Sequence, residues 1–316
     1  MAAARHRQSL PQLASDAPFL TDGGLETTLI FHQGVDLPAF AAFDLLKDDA
    51  GREQLRTYFE PYLALARERG AGFVLDTATW RANVDWGIAL GYSAEELADA
   101  NRAAVALAEE LRTPLDEAGL SVVINGTVGP RGDGYQPDEL MSADEAERYH
   151  NDQVSVFAGT AADMVTGVTI NYVEEAIGIV RAGVAAGMPV ALSFTVETDG
   201  RLPTGLSLRE AIEQTDGETG GAAAYFMINC AHPTHFADVI HGDDPWRDRI
   251  GGIRANASRM SHAELDEAEE LDDGDPKELG GEYRELSQRL PGLRVLGGCC
   301  GTDHRHIGAV AEACLS

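Results

Sequence analysis

Lysine is almost absent from this chain: among 316 residues it occurs only as Lys47 and Lys277. Arginine brings the basic total to 24 against 52 acidic residues, a formal net charge of −28. Such a surface repels phosphate backbones and anionic lipid, which argues against nucleic acid and membrane partners. Long apolar runs are missing too. No stretch approaches the roughly 20 apolar residues of a membrane span, and the opening MAAARHRQSLPQLASDAP has no continuous apolar run behind its basic residues. The expectation is a cytoplasmic protein without a secretory signal. The acidity fits a salt-rich cytoplasm or solubility alone. The dense stretch 264–282 reads as a solvated helix or loop without catalytic weight. Cysteine is scarce, at four residues. In a cytosolic chain of this size that favours metal ligation, nucleophilic chemistry or simple burial over a disulfide framework. The glycine fingerprint of a dinucleotide fold is also lacking, because the pattern begun by Gly23 and Gly24 breaks at Glu26 and Thr28.

What is present is a regular alternation of short apolar runs and longer amphipathic ones. Strands are expected over 19–22, 73–77, 121–125, 164–170, 190–195, 225–229, 252–255 and 294–296. Most are continuous apolar runs, as strands buried on both faces are. Helical patterns lie between them, for instance over 54–69, 94–118, 143–161, 173–186 and 208–214. Ser93, Ser142 and Ser207 stand as N-caps, with Glu96 and Glu145 placed for capping boxes. Gly70, Gly119 and Gly187 sit at the expected helix ends. Eight strands alternating with helices predict an α/β fold, a single (β/α)8 TIM barrel filling 1–316 as one domain. A doubly wound sheet is the runner-up. Residues 1–15 read as a loose N-terminal tail, and 257–292 as a helical excursion between the last two strands.

Polar residues and glycines collect where these strands end: Asp22-Gly23-Gly24, Asp76-Thr77, the loop from Asn125 to Pro130, Glu197 to Gly200, Asn229-Cys230, Asn256, and Gly297-Gly298-Cys299-Cys300-Gly301. In a barrel these ends share one face, the face of active sites. Cys230 and the Cys299–Cys300 pair follow strands six and eight, close enough to meet. Three thiolates make a soft zinc site with its fourth position open. Such a centre suits activation of a substrate thiol better than activation of water. Ordinary buried cysteines are the other reading of the same pattern. Cys314, in an apolar C-terminal helix, reads as packing.

The stretch Gly297-Gly298-Cys299-Cys300-Gly301-Thr302-Asp303 with His306-Ile307 resembles the signature of the homocysteine S-methyltransferase family, which includes betaine-dependent and S-methylmethionine-dependent enzymes. Ile228-Asn229-Cys230 with Pro233, the opening Asp22-Gly23-Gly24, the Gly126-to-Pro130 loop, and Ser193-Phe194 with Asp199-Gly200 extend the likeness over nearly the whole chain. The resemblance implies a (β/α)8 barrel, Zn2+ held by Cys230, Cys299 and Cys300, and no catalytic group beyond that zinc site. It implies methyl transfer to a small-molecule thiol, homocysteine first, giving methionine. The donor would be a sulfonium or quaternary ammonium compound of the S-methylmethionine, S-adenosylmethionine or betaine type. A homo-oligomer stays open.

The sequence also departs from the family. Most members carry a Glu-Thr pair after strand four, whose acid helps hold the amino group of homocysteine; here the pair is Val168-Thr169. Asp22 matches the other amino-group partner, Glu197 is the candidate replacement acid, and Asn256 is a candidate for orienting a polar substrate group. Tyr58, Trp80, Trp86 and Tyr172 are candidates to face a donor cation. His232 and His235 read as neighbours of the metal site or surface groups. Alternative readings are a transferase, lyase or demethylase acting on another thiol or sulfonium compound, and a non-catalytic zinc- or thiol-binding protein.

Overall fold

The computed structural model describes residues 3–15, 17–137 and 140–315. Eight parallel strands close into a barrel in chain order: β1 Phe19–Leu20, β2 Phe73–Asp76, β3 Val122–Val128, β4 Met164–Ile170, β5 Val190–Phe194, β6 Tyr225–Asn229, β7 Ile250–Ala255 and β8 Val295–Gly298. Closure comes from β1 pairing with β8, Leu20 beside Leu296. Every β1, β2, β3, β5, β6, β7 and β8 residue is buried, and β4 has a single half-buried position. That explains the unbroken apolar runs: one side chain fills the barrel and the next faces the helical ring.

The helices are fixed by the caps legible in the sequence. Asp49–Arg69 ends on Gly70 in the left-handed conformation (φ 63°). Ala94–Glu117, Ala143–Ala158 and Leu208–Thr219 each open with a complete capping box, on Ser93, Ser142 and Ser207. Each such cap satisfies orphan N–H groups and stabilises its helix by about 1 kcal/mol. Alternation weakens after β6. Only Pro233–Phe236 and a 3-10 turn, Pro245–Arg249, precede β7. The expected excursion before β8 is there, as His262–Asp266 and Pro276–Arg289.

Over the described residues 3–15 the expected loose tail is packed against the barrel. Residues Pro11–Ala14 form a helical turn that seals the N-terminal end of the barrel. Leu10 joins Phe19, Val74, Val123, Met164 and Val295 in one buried cluster, and Gln12 is fully buried with its amide near Met164 and Tyr225. Asp163, also fully buried, accepts the backbone N–H groups of Arg5 and His6 at 2.7 and 2.8 Å. Arg7 donates to the carbonyls of Ala158, Thr160 and Ala162. The sequence signal was weak because the anchors are backbone N–H groups and two apolar contacts, with no periodic pattern. Among the described residues no helix is long and apolar enough to cross a membrane.

Candidate functional site

The C-terminal ends of the strands surround a cavity of about 550 Å³. Its inner wall carries Asp22, Asp76, Thr169, Cys230, Arg254, Cys299 and Cys300. Two long loops build its outer wall, one through Phe31, Leu37 and Phe40, the other from Ser258 to Asp272. Part of the acidic stretch therefore borders the cavity, contrary to its reading as plain solvated surface.

Glycine lets the cysteine loop approach β1. A Cβ on Gly23 would lie 2.7 Å from the Thr302 carbonyl oxygen, and one on Gly24 would lie 2.6 Å from that of Cys299. With glycine at both positions the backbones bond directly, Gly24 N–H to Thr302 O at 2.9 Å and Gly298 N–H to Asp22 O at 2.9 Å. The sulfurs of Cys230, Cys299 and Cys300 lie within 4.8 Å of one another. Cys230 and Cys299 are paired as a disulfide, and Cys300 is a free thiol. Burial pushes the Cys300 thiol up to about 11.

Two unusual backbones frame this cluster. Thr169 and Cys230 have φ of 62° and 52°, in the left-handed region that β-branched residues avoid. Asn229 holds Thr169 in place: its Oδ1 accepts the Thr169 N–H at 3.0 Å and its Nδ2 donates to Thr169 Oγ1 at 2.8 Å. The same amide lies 3.8 Å from Cys299 Sγ, and Thr169 Oγ1 lies 3.7 Å from Cys230 Sγ. The Tyr135 hydroxyl is 3.6 Å from Cys300 Sγ, and its ring stacks on His262 with centroids 3.9 Å apart. Strain of this kind concentrates at functional sites.

The remaining site candidates fall in different places. Asp22 is buried and heavily engaged: Arg254 Nη2 donates to it at 2.6 Å, the Tyr58 hydroxyl at 2.9 Å and Thr21 at 3.1 Å. Arg254 also pairs with Asp76 and donates to the Gly298 carbonyl at 3.0 Å. Two carboxylates thus share one guanidinium, leaving one net negative charge. Glu197 accepts from His262 at 3.0 Å, and His262 Nε2 lies 2.7 Å from the Cys230 carbonyl. Glu197 is not part of the cavity wall, where Val168 is. Asn256 is buried just past β7, its Oδ1 without a partner among the described residues. His232 bonds Thr234 and His235 bonds the Arg259 carbonyl, and neither lines the cavity.

Trp80 and Trp86 both stack on Arg81, 4.3 and 3.8 Å from its guanidinium carbon, and Trp80 donates to the Val168 carbonyl at 3.0 Å. Tyr172 receives the Met141 N–H. These rings are committed to protein partners. Glu26, Arg81, Tyr135, Arg254 and His262 went unmarked as site residues. The only hint was a pair of charges close to motif residues, Glu26 after Gly24 and Arg81 after Trp80.

A family model for homocysteine S-methyltransferase matches residues 19–314. The chain belongs to the homocysteine S-methyltransferase family. Its members are methyltransferases, and the family takes its name from homocysteine as acceptor. Among solved structures, the chain is similar to the homocysteine methyltransferase MmuM from Escherichia coli in three forms. The oxidized form matches with a TM-score of 0.74 at 19% identity, covering 94% of this chain and 96% of that one. The metallated form gives 0.70 at 20% identity over the same shares, and the apo form 0.64 at 19% over 95% and 96%. At these identities the likeness is one of fold. No curated protein matched the chain.

Proposed function

We propose that this methyltransferase moves a methyl group from a sulfonium or quaternary ammonium donor to the sulfur of homocysteine, giving methionine, at zinc held by Cys230, Cys299 and Cys300. The observation that carries the reading is the convergence of three sulfurs from β6 and β8 within 4.8 Å at the cavity wall. The donor set fits the ion: with Zn–S bonds of about 2.3 Å, sulfurs of a tetrahedral site stand about 3.8 Å apart. The family and the metallated MmuM structure support it. Ligation needs the Cys230–Cys299 pair in its reduced form. Cys230, Cys299 and Cys300 would hold the ion, which would supply positive charge that favours the thiolate form of an acceptor thiol.

The chain's own residues do the rest. Asn229 and Thr169 orient the cysteine sulfurs, and Tyr135 can donate to Cys300. Asp22 and Asp76, sharing Arg254, leave a negative charge that attracts the acceptor's ammonium, whereas Asn256, buried and off the cavity wall, makes no substrate contact. Glu197 acts through His262, which braces the Cys230 backbone. The loops 25–48 and 257–275 exclude water and align the donor. A thiol without an amino group is the rival acceptor, because Val168 lines the cavity where most relatives carry an acid.

The test is metal analysis and methyl transfer together. Reduced protein should bind one zinc per chain, and Cys230→Ser, Cys299→Ser and Cys300→Ser should each weaken it strongly, whereas Cys314→Ser keeps it. Zinc-loaded protein given homocysteine and a donor panel should form methionine by mass spectrometry. Full zinc retention in Cys299→Ser would refute the ligand set.

A further inference from the structure

The cavity wall contains two arginines and no lysine, and the two arginines differ in how far they are used. Arg254 is saturated, with Asp22, Asp76 and the carbonyls of Gly23 and Gly298 taking its donors. Arg81 is not. Its side chain is 9% exposed, Nη1 donates to the Gly132 carbonyl at 3.1 Å, and Nε has no partner. Arg81 pairs with Asp133 only at long range, Nη2 to Oδ2 at 3.8 Å, and that carboxylate is 44% exposed. Trp80 and Trp86 clamp the guanidinium plane. A planar donor fork, desolvated and held rigid with an N–H to spare, matches a carboxylate.

The acids of the cavity wall divide in the same way. Asp22 and Asp76 are engaged with Arg254. Asp272 accepts from Ser258 and Gly274, and Asp266 and Glu270 are exposed at the rim. Of the wall acids that are not exposed, Glu26 is the one with neither an ion pair nor a side-chain hydrogen bond among the described residues. Burial is the main reason its carboxyl is raised to about 7, with Asp22 adding to the rise and Arg254 and Arg81 opposing it. Glu26 is half-buried and shares the cavity wall with Cys299 and Cys300. A carboxylate so far removed from water and without an ion pair is costly to keep unless a ligand brings a cation.

We infer that Glu26 and Arg81 are the two poles of a head-group subsite that reads an α-amino-acid zwitterion. Glu26 takes the ammonium and Arg81 the carboxylate of a thiol whose sulfur enters the cysteine cluster. The subsite rests on the proposed function for the thiol's destination and names the acceptor class. It also explains how the chain keeps an amino-acid substrate with Val168 on β4: Trp80 covers that strand end through the Val168 carbonyl, and the acid is supplied from the β1 loop instead.

Calorimetric titration of reduced, zinc-loaded full chain with three thiols tests this. Homocysteine carries both poles, 4-mercaptobutyrate lacks the ammonium and 3-aminopropanethiol lacks the carboxylate. Glu26→Gln should weaken homocysteine and 3-aminopropanethiol at least tenfold and leave 4-mercaptobutyrate within twofold. Arg81→Gln should weaken homocysteine and 4-mercaptobutyrate at least tenfold and spare 3-aminopropanethiol. Zinc content and circular dichroism are measured for each variant. If Arg81→Gln does not fold, Arg81→Lys decides, and it should lose severalfold for the two carboxylate thiols alone. Three thiols shifting alike, or a wild type that binds 4-mercaptobutyrate as tightly as homocysteine, overturns the inference. The crossed pattern without methyl transfer from any donor would leave the subsite standing and remove the proposed reaction. Methyl transfer to homocysteine without the crossed pattern would do the reverse.

Discussion

A carboxylate kept for a ligand should weaken the empty protein, and Glu26 allows that to be measured. Its carboxyl is raised from 4.5 to about 7, chiefly by burial. The folded state therefore holds a proton that the unfolded chain releases between about pH 4.5 and 7. Stability from this group is fully present below about pH 4.5 and is lost as pH rises through about 7. The rise from 4.5 to about 7 corresponds to at most about 3.4 kcal/mol, and solvent at this half-buried carboxylate brings it to about 3 kcal/mol. Glu26→Gln keeps the shape and cannot ionise, so it removes that loss. With an unfolding entropy of about 2.1 cal/mol/K per residue, a chain of this length gains roughly 4–5 °C in Tm per 3 kcal/mol. Thermal unfolding of wild type and Glu26→Gln at pH 5, 6, 7 and 8 should show an advantage for the variant of only about 1 °C at pH 5, rising to approach that size at pH 8. Comparing the two proteins at each pH cancels the self-repulsion of a −28 chain. An advantage that does not grow between pH 5 and pH 8 would refute the idea of a buried, uncompensated carboxylate.

Asp22→Asn should raise the homocysteine KM at least tenfold with zinc content unchanged. It should also lower Tm by roughly 2–5 °C, because Arg254 loses a charge-assisted bond worth about 1.5–3 kcal/mol; unchanged acceptor kinetics would remove Asp22 from binding. Glu197→Gln should slow turnover of homocysteine and of 3-mercaptopropionate by similar factors, since Glu197 reaches the site only through His262; a selective loss of homocysteine use would instead make it an ammonium partner. Deleting residues 1–14 should cost about 5 kcal/mol, from Leu10 burial and two bonds to Asp163, and lower Tm by roughly 7 °C. Metal analysis of that truncated chain should match the full chain, as the cysteines lie at the opposite end of the barrel.

Much of the fold was legible because its determinants are local. Strand β4 and strand β6 have the limits their apolar runs predict, and Ser93–Glu96 and Ser142–Glu145 form the boxes their spacing predicts. The cysteines were legible for a related reason: each follows a strand end, and barrel topology carries all such ends to one face. β1 covers only Phe19–Leu20, although Thr21 and Asp22 still bond to Leu296 and Gly298 of β8; the chain leaves that strand at Gly24, which bonds Thr302 instead. The tail was missed because Leu10 and Gln12 gain their role only from a barrel floor assembled from several strands.

The substrate-facing charges were hidden by a different kind of non-locality. Whether an acid in this mouth is free for a ligand depends on which cation another strand has already placed beside it. Asp22 looks like a sufficient ammonium partner until Arg254, 232 residues away, binds its carboxylate and leaves it only a shared charge to offer. Glu197 looks like the substitute for the missing acid until His262 takes it. Subtracting those pairings leaves Glu26 and Arg81, one acid and one base, each with unused capacity in a cavity bordered by the sulfur cluster. The departure at Val168 then has a physical partner in the sequence. Losing an acid from β4 is tolerable for an amino-acid acceptor only if another wall supplies it, and Glu26 is the half-buried acid of the wall that makes no ion pair among the described residues.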